Sequence, residues 1–77
     1  MNREEIIERL QEIFEDVLDY NEEITEELSS DDVKEWDSLA HITLMATVED
    51  EFSIKIPTEM MPKLKTVKNI IDAIEEL

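Results

Sequence analysis

Ile6, Ile7, Leu10, Ile13, Phe14, Val17 and Leu18 recur at i, i+1, i+4, i+7, i+8, i+11 and i+12. That spacing lays one apolar stripe along a helix of about 3.6 residues per turn. A helix of this kind is stable in water only when its stripe is covered, so the rest of the chain has to supply the cover. Asn2 is placed to cap the helix, with Glu5 three residues later as in a capping box. The outer face carries Glu4, Glu8, Glu12, Glu15 and Asp16, relieved only by Arg9, and the helix is expected to end near Asp19-Tyr20-Asn21.

Two further stripes follow. Leu39, Ile42, Met45, Val48 and Phe52, widened by Leu44 and Ala46, predict a second helix from about Ser38 to Phe52. Asp37 precedes it as a cap whose carboxylate can accept the free amides of the first turn. This helix has no Lys or Arg, and its last turn carries Glu49, Asp50 and Glu51, the wrong sign for the helix dipole. Ser53-Ile54-Lys55-Ile56-Pro57 alternates and ends in Pro, which makes Ile56 extended. Thr58 is then expected to cap a short turn, Glu59-Met60-Met61, closed near Pro62. Thr66 starts a last helix with the stripe Val67, Ile70, Ile71, Ile74 and Leu77.

Between the first two helices, residues 19–37 have no sustained period and hold only Tyr20, Ile24, Leu28, Val33 and Trp36 as apolar points. Acids crowd the same stretch, Glu22, Glu23, Glu26, Glu27, Asp31, Asp32, Glu35 and Asp37 among them, against a single Lys34. Such a run suits a solvated loop, while a loop of this length in a small domain is also often functional. The expected fold is all-α: a small four-helix bundle, three main helices plus one short helix, with a long first loop. At 77 residues it forms one domain, residues 1–77, with one small core.

Composition removes most chemistries. With no Gly, no glycine-rich loop can bring backbone amides close to a phosphate, so P-loop and dinucleotide-binding readings fail. With no Cys there is no disulfide framework, thiol nucleophile or cysteine zinc site, and His41 alone cannot build a multi-histidine metal site. Acids number 22 against 7 bases, a net charge of −15. That charge repels nucleic-acid backbones and attracts basic protein surfaces. The chain shows no membrane-spanning stretch and no signal-peptide pattern, so a cytoplasmic location is expected. A chain this small has little room for a water-excluding active site.

The stretch that can carry chemistry is Trp36-Asp37-Ser38-Leu39. Ser38 stands in the first helical turn, at the positive end of the dipole, where a phosphate ester on its hydroxyl would be accommodated. Asp-Ser before a helix is also the common capping pair. Trp36 reads as packing the loop end on the core, and Met60 and Met61 as gap-filling. Ser38 and His41 invite a nucleophile–base reading, but no oxyanion hole or substrate pocket accompanies them. His41 reads better as an exposed recognition residue.

Asp37-Ser38-Leu39 opens the second helix, Glu49-Asp50-Glu51-Phe52 ends it, Ile54-Lys55-Ile56-Pro57 follows, and Thr66-Val67 opens the last helix. With the length, the acidity and the long first connection, this arrangement resembles the acyl carrier and peptidyl carrier family over nearly the whole chain. The resemblance implies that Ser38 receives 4′-phosphopantetheine from coenzyme A by a phosphopantetheinyl transferase, usually with magnesium. The arm then supplies the thiol that the chain lacks and holds an acyl or aminoacyl group as a thioester. The carrier itself tethers cargo and catalyses nothing. Asp37 and Leu39 flank the attachment point, and Ala40, His41, Thr43, Glu49 and Asp50 fall on the partner-facing helix. In fatty-acid-synthesis carriers acids usually stand two and five residues after the serine, where this chain has Ala40 and Thr43. The usual glycine before Asp-Ser-Leu is absent too, and Trp36 in that run looks more like carriers of peptidyl and specialised pathways. The expected partners are the transferase, an acyl- or aminoacyl-activating ligase, and a downstream acyltransferase or synthase, met by a monomer that binds neither nucleic acid nor membrane. The rival readings are an acidic helical adaptor or nucleic-acid mimic with Ser38 unmodified, a calcium module, which lacks the acid loop built around a glycine, and a small hydrolase.

Overall fold

In the computed structural model, which describes residues 2–77, helix α1 spans Arg3–Leu18, α2 Ser38–Phe52 and α3 Val67–Glu76, with a 3₁₀ helix at Met61–Lys63 between the last two. Among the described residues the only β feature is an isolated Ser29–Thr66 bridge, so the molecule is a small all-α bundle. Each α-helix starts on a side-chain cap. Asn2 Oδ1 accepts from Glu5 N at 2.9 Å, Asp37 Oδ1 from Ala40 N at 2.8 Å, and Thr66 Oγ1 from Asn69 N at 3.0 Å. The first two helices end on left-handed residues, Asp19 at φ 53° and Ser53 at φ 54°. Glycine usually takes that position because it has no Cβ to clash. This chain has none, and two small polar residues hold it instead, each against a cost of about 1–2 kcal/mol.

The core is built from every segment. Ile6, Leu10, Ile13, Phe14 and Leu18 of α1 meet Leu44, Met45 and Val48 of α2 and Val67, Ile70, Ile71 and Ala73 of α3. Ile24, Val33 and Trp36 enter from the first connection, and Ile56 and Leu64 from the second. Met60 and Met61 pack against this cluster half-buried.

The first connection is pinned rather than free. Gln11 on α1 donates from Nε2 to Glu22 O at 2.9 Å and accepts from Ile24 N at 3.0 Å. Farther along, the connection's carbonyls cap α3: Val67 N donates to Leu28 O at 2.9 Å and Lys68 N to Glu26 O at 3.0 Å. Together with the Thr66 cap, three first-turn amides that the helix leaves without partners are satisfied.

Three expectations are corrected. The stripe assigned to α2 is narrower and turned: Leu39 is 78% and Ile42 64% exposed, Ala46 is exposed, and only Leu44, Met45 and Val48 are fully buried. The sequence from Leu39 to Val48 is apolar nearly all round, so several helical faces fit the period and the packing on α1 selects one. The short helix lies two residues later than expected, with Pro62 inside it rather than after it. Proline's missing N–H is not needed in a first turn, and the Pro57 carbonyl, not Thr58, receives Met60 N at 2.9 Å. Leu77, expected on the α3 stripe, is 46% exposed.

Candidate functional site

Ser38 is the first residue of α2, exposed to solvent directly after the Asp37 cap. Asp37 uses its side chain on Ala40 N, and its carbonyl receives His41 N at 2.8 Å, the first bond of the helix. Helix geometry leaves the amides of Ser38 and Leu39 without intrahelical acceptors, pointing toward the end where Ser38 Oγ stands. An anion on that hydroxyl meets donors and the positive end of the dipole.

An open cleft of about 620 Å³ lies beside Ser38. Trp36 lines it from the end of the first connection, His41 and Ile42 from the start of α2, Met61 and Pro62 from the 3₁₀ helix, and Lys65 from the approach to α3. Its lining is mostly apolar, with Ser30, Asp31, Asp37, Ser38, Thr58 and Lys65 supplying polar groups at its edges.

The wall of this cleft is organised by a three-residue chain. Trp36 Nε1 donates to His41 Nδ1 at 2.9 Å, and His41 Nε2 lies 2.8 Å from Met61 O. A carbonyl only accepts, so Nε2 carries the proton and donates, and Nδ1 accepts from the indole. Trp36 is 4% exposed and sets its ring edge-on to Phe14, with centroids 5.2 Å apart at 79°. Trp36 therefore packs the loop end on the core. His41, expected to be exposed, is half-buried with both ring nitrogens engaged. Neither nitrogen is free to take a proton from Ser38, so the two residues form no nucleophile–base pair.

The remaining α2 residues divide by exposure. Leu39, Thr43 and Asp50 face solvent, and Ala40 packs half-buried on the core. Glu49 is committed internally: its Oε2 accepts from Ile56 N at 2.7 Å and ties the second connection to α2. Ile42 stands exposed at the cleft, a surface residue that periodicity had placed inside. The link from His41 to Met61 joins positions twenty apart and has no local signal in the sequence. Among the described residues no group of His, Cys, Asp or Glu side chains is placed to hold a metal ion, and no helix is long and apolar enough to cross a membrane.

Comparison with known proteins gives concordant matches. A family model described as a phosphopantetheine attachment site matches residues 8–74. The acyl carrier protein of Rubrobacter xylanophilus is 39% identical, over 99% of this chain and 95% of that protein. The acyl carrier protein of Thermosynechococcus vestitus is 37% identical over 96% of this chain and 93% of its own. The meromycolate extension acyl carrier protein of Mycobacterium leprae is 36% identical over 100% of this chain and 68% of its own. The solution structure of the holo acyl carrier protein from Geobacter metallireducens superposes with a TM-score of 0.81 at 32% identity, covering 91% of this chain and 82% of that one.

Proposed function

Because the chain belongs to the acyl carrier protein family, a carrier on 4′-phosphopantetheine and not a catalyst, we propose that Ser38 is its attachment residue. The observation that carries this is the position of Ser38: an exposed hydroxyl on the first residue of a capped helix, at the edge of an apolar cleft. Of the other serines, Ser29 spends its hydroxyl on Asp32 at 3.2 Å, Ser30 lies in the first connection, and Ser53 sits at the negative end of α2.

The residues present fit the group. Ser38 Oγ loses its proton and gains the phosphodiester, and the nucleotide half of coenzyme A departs. The amides at the start of α2 and the helix dipole favour the resulting negative charge, while the Asp37 cap keeps that first turn formed. When bound, the arm supplies a thiol that this Cys-free chain lacks and holds cargo as a thioester. The protein's own part is to tether the cargo and raise its concentration at a partner.

We assign the carrier to a specialised pathway rather than to bulk fatty-acid synthesis. Ala40 and Thr43 stand where acids would meet a basic partner surface, and Leu39 and Ile42 give the exposed start of α2 an apolar character. Charges at such a rim govern encounter rate and discrimination more than fold. The corresponding partners are a phosphopantetheinyl transferase, an acyl- or aminoacyl-activating ligase and a downstream acyltransferase or synthase, visited by a monomer in the cytoplasm.

Intact mass after incubation with coenzyme A, magnesium and a broad-specificity transferase tests the attachment. One phosphopantetheine on the parent and none on Ser38→Ala is expected; an addition that survives Ser38→Ala overturns the assignment. For the pathway, loading by a malonyl transferase of bulk fatty-acid synthesis is expected to be slow and to rise in Ala40→Glu/Thr43→Glu. Fast loading of the unmutated chain overturns the specialised reading.

A further inference from the structure

Trp36, His41 and Met61 belong to three separate segments: the end of the first connection, the first turn of α2 and the 3₁₀ helix. The imidazole of His41 is the one group that joins them, accepting from the buried indole on one side and donating to the Met61 carbonyl on the other. The two rings lie close to parallel, 24° apart with centroids 6.1 Å apart. The indole bond requires an unprotonated Nδ1, and the Met61 bond requires an N–H on Nε2. A proton added at Nδ1 would set an N–H against the indole N–H and leave a nearly fully buried donor without an acceptor.

We infer that His41 is a positioning residue: as the Nε2–H tautomer it fixes Trp36 as the wall of the cleft beside Ser38 and holds the 3₁₀ helix at its rim, a latch between three segments. The charged groups lining the same cleft are Asp31 and Asp37 from the first connection and Lys65 from the approach to α3. Lys63 lies on the 3₁₀ helix itself, and α2 contributes no Lys or Arg. None of these charges takes either ring nitrogen, which are held by Trp36 and Met61. The importance of the cleft rests on the attachment proposed at Ser38; the latch does not.

Trp36 is the only tryptophan, so the unmodified chain gives one indole N–H resonance in a ¹H–¹⁵N spectrum. At one fixed pH that N–H is expected to exchange with water about tenfold more slowly than an indole without an acceptor. His41→Gln offers an amide oxygen to the indole and an amide N–H to Met61, and is expected to keep the indole protected. His41→Ala is expected to lose that protection. An indole equally protected in His41→Ala, or left unprotected in His41→Gln, overturns the inference. If the variants behave as stated but the transferase leaves Ser38 unmodified, the latch stands and the attachment alone fails.

Discussion

Helices α2 and α3 are both apolar, and they use that character in opposite ways. On α3, Val67, Ile70 and Ile71 are all 0% exposed. On α2, Leu44, Met45 and Val48 are as deeply buried, yet Leu39 and Ile42 stand 78% and 64% exposed within five residues of the Asp37 cap. Burying such side chains would stabilise the fold by about 1.5–3 kcal/mol each, a gain that α2 forgoes. Both exposed residues lie beside Ser38. The comparison assigns α3 to stability and divides α2, whose inner face closes the core while its outer first turns leave Leu39 and Ile42 in solvent.

The sharpest test of that division is Ser38→Ala. Modification is expected to disappear entirely, while stability in urea stays within about 0.5 kcal/mol because an exposed hydroxyl is lost. A large loss of stability would show that the start of α2 serves the fold after all. Next in size is a matched pair. Ile70→Ala removes a side chain with no exposure and is expected to cost about 2–5 kcal/mol. Ile42→Ala, the same chemical change on α2, is expected to cost about 0.5 kcal/mol or less and to slow loading by the partner. Equal costs for the two substitutions would erase the distinction.

The contrast also explains what the sequence could and could not disclose. Asn2 and Asp37 were legible as caps because a cap is a local bond to an amide three residues on, and Thr66 was legible as the start of α3. The ends of α2 follow from the Asp37 cap and the apolar period, and the attachment proposed at Ser38 rests on the motif that Asp37 opens. The facing of α2 was not legible. On α3, polar Lys68, Asn69, Asp72 and Glu75 mark the outside, whereas residues 39–48 contain only His41, Thr43 and Thr47 to break the apolar run. The bonds of His41 to Trp36 and Met61 depend on how three segments meet, and Glu49 looked like a surface acid until Ile56 N was found on it.

The capping residues give a smaller comparison between the same two helices. Asp37→Ala and Thr66→Ala each remove one side-chain acceptor and are expected to cost about 1 kcal/mol in urea unfolding. α3 has its neighbouring amides held by the Leu28 and Glu26 carbonyls, while α2 has no such help from the first connection. Asp37→Ala is therefore expected to be the costlier of the two and to slow phosphopantetheine transfer as well. Thr66→Ala is expected to leave transfer unchanged. Transfer slowed equally by both would mean that general loosening, and not the local order of the first turn of α2, sets the rate.

The smallest effect lies at the far end of α3, where Arg3 reaches Asp72 at 2.7 Å and Glu75 at 3.2 Å, and Lys68 reaches Asp72 at 2.8 Å. Hydrogen bonds from Lys68 and then Arg3 hold the Asp72 carboxyl below its ordinary value, and the bond to Asp72 raises Arg3 in turn. A carboxyl depressed by folding stabilises the native state above its ordinary value of 3.8, and loses that contribution as pH falls through the lower native value. The raised Arg3 adds no transition in this window, because it is protonated in both states throughout. With a net charge of −15, acid also relieves repulsion over the whole surface, so the melting temperature of the parent alone does not isolate the pair. Comparison with Asp72→Asn does. Any lead of the parent in melting temperature should hold above about pH 4 and shrink in acid, and high salt should reduce it because these are surface ion pairs. A lead that persisted in acid would trace the attachment of α3 to its packing alone.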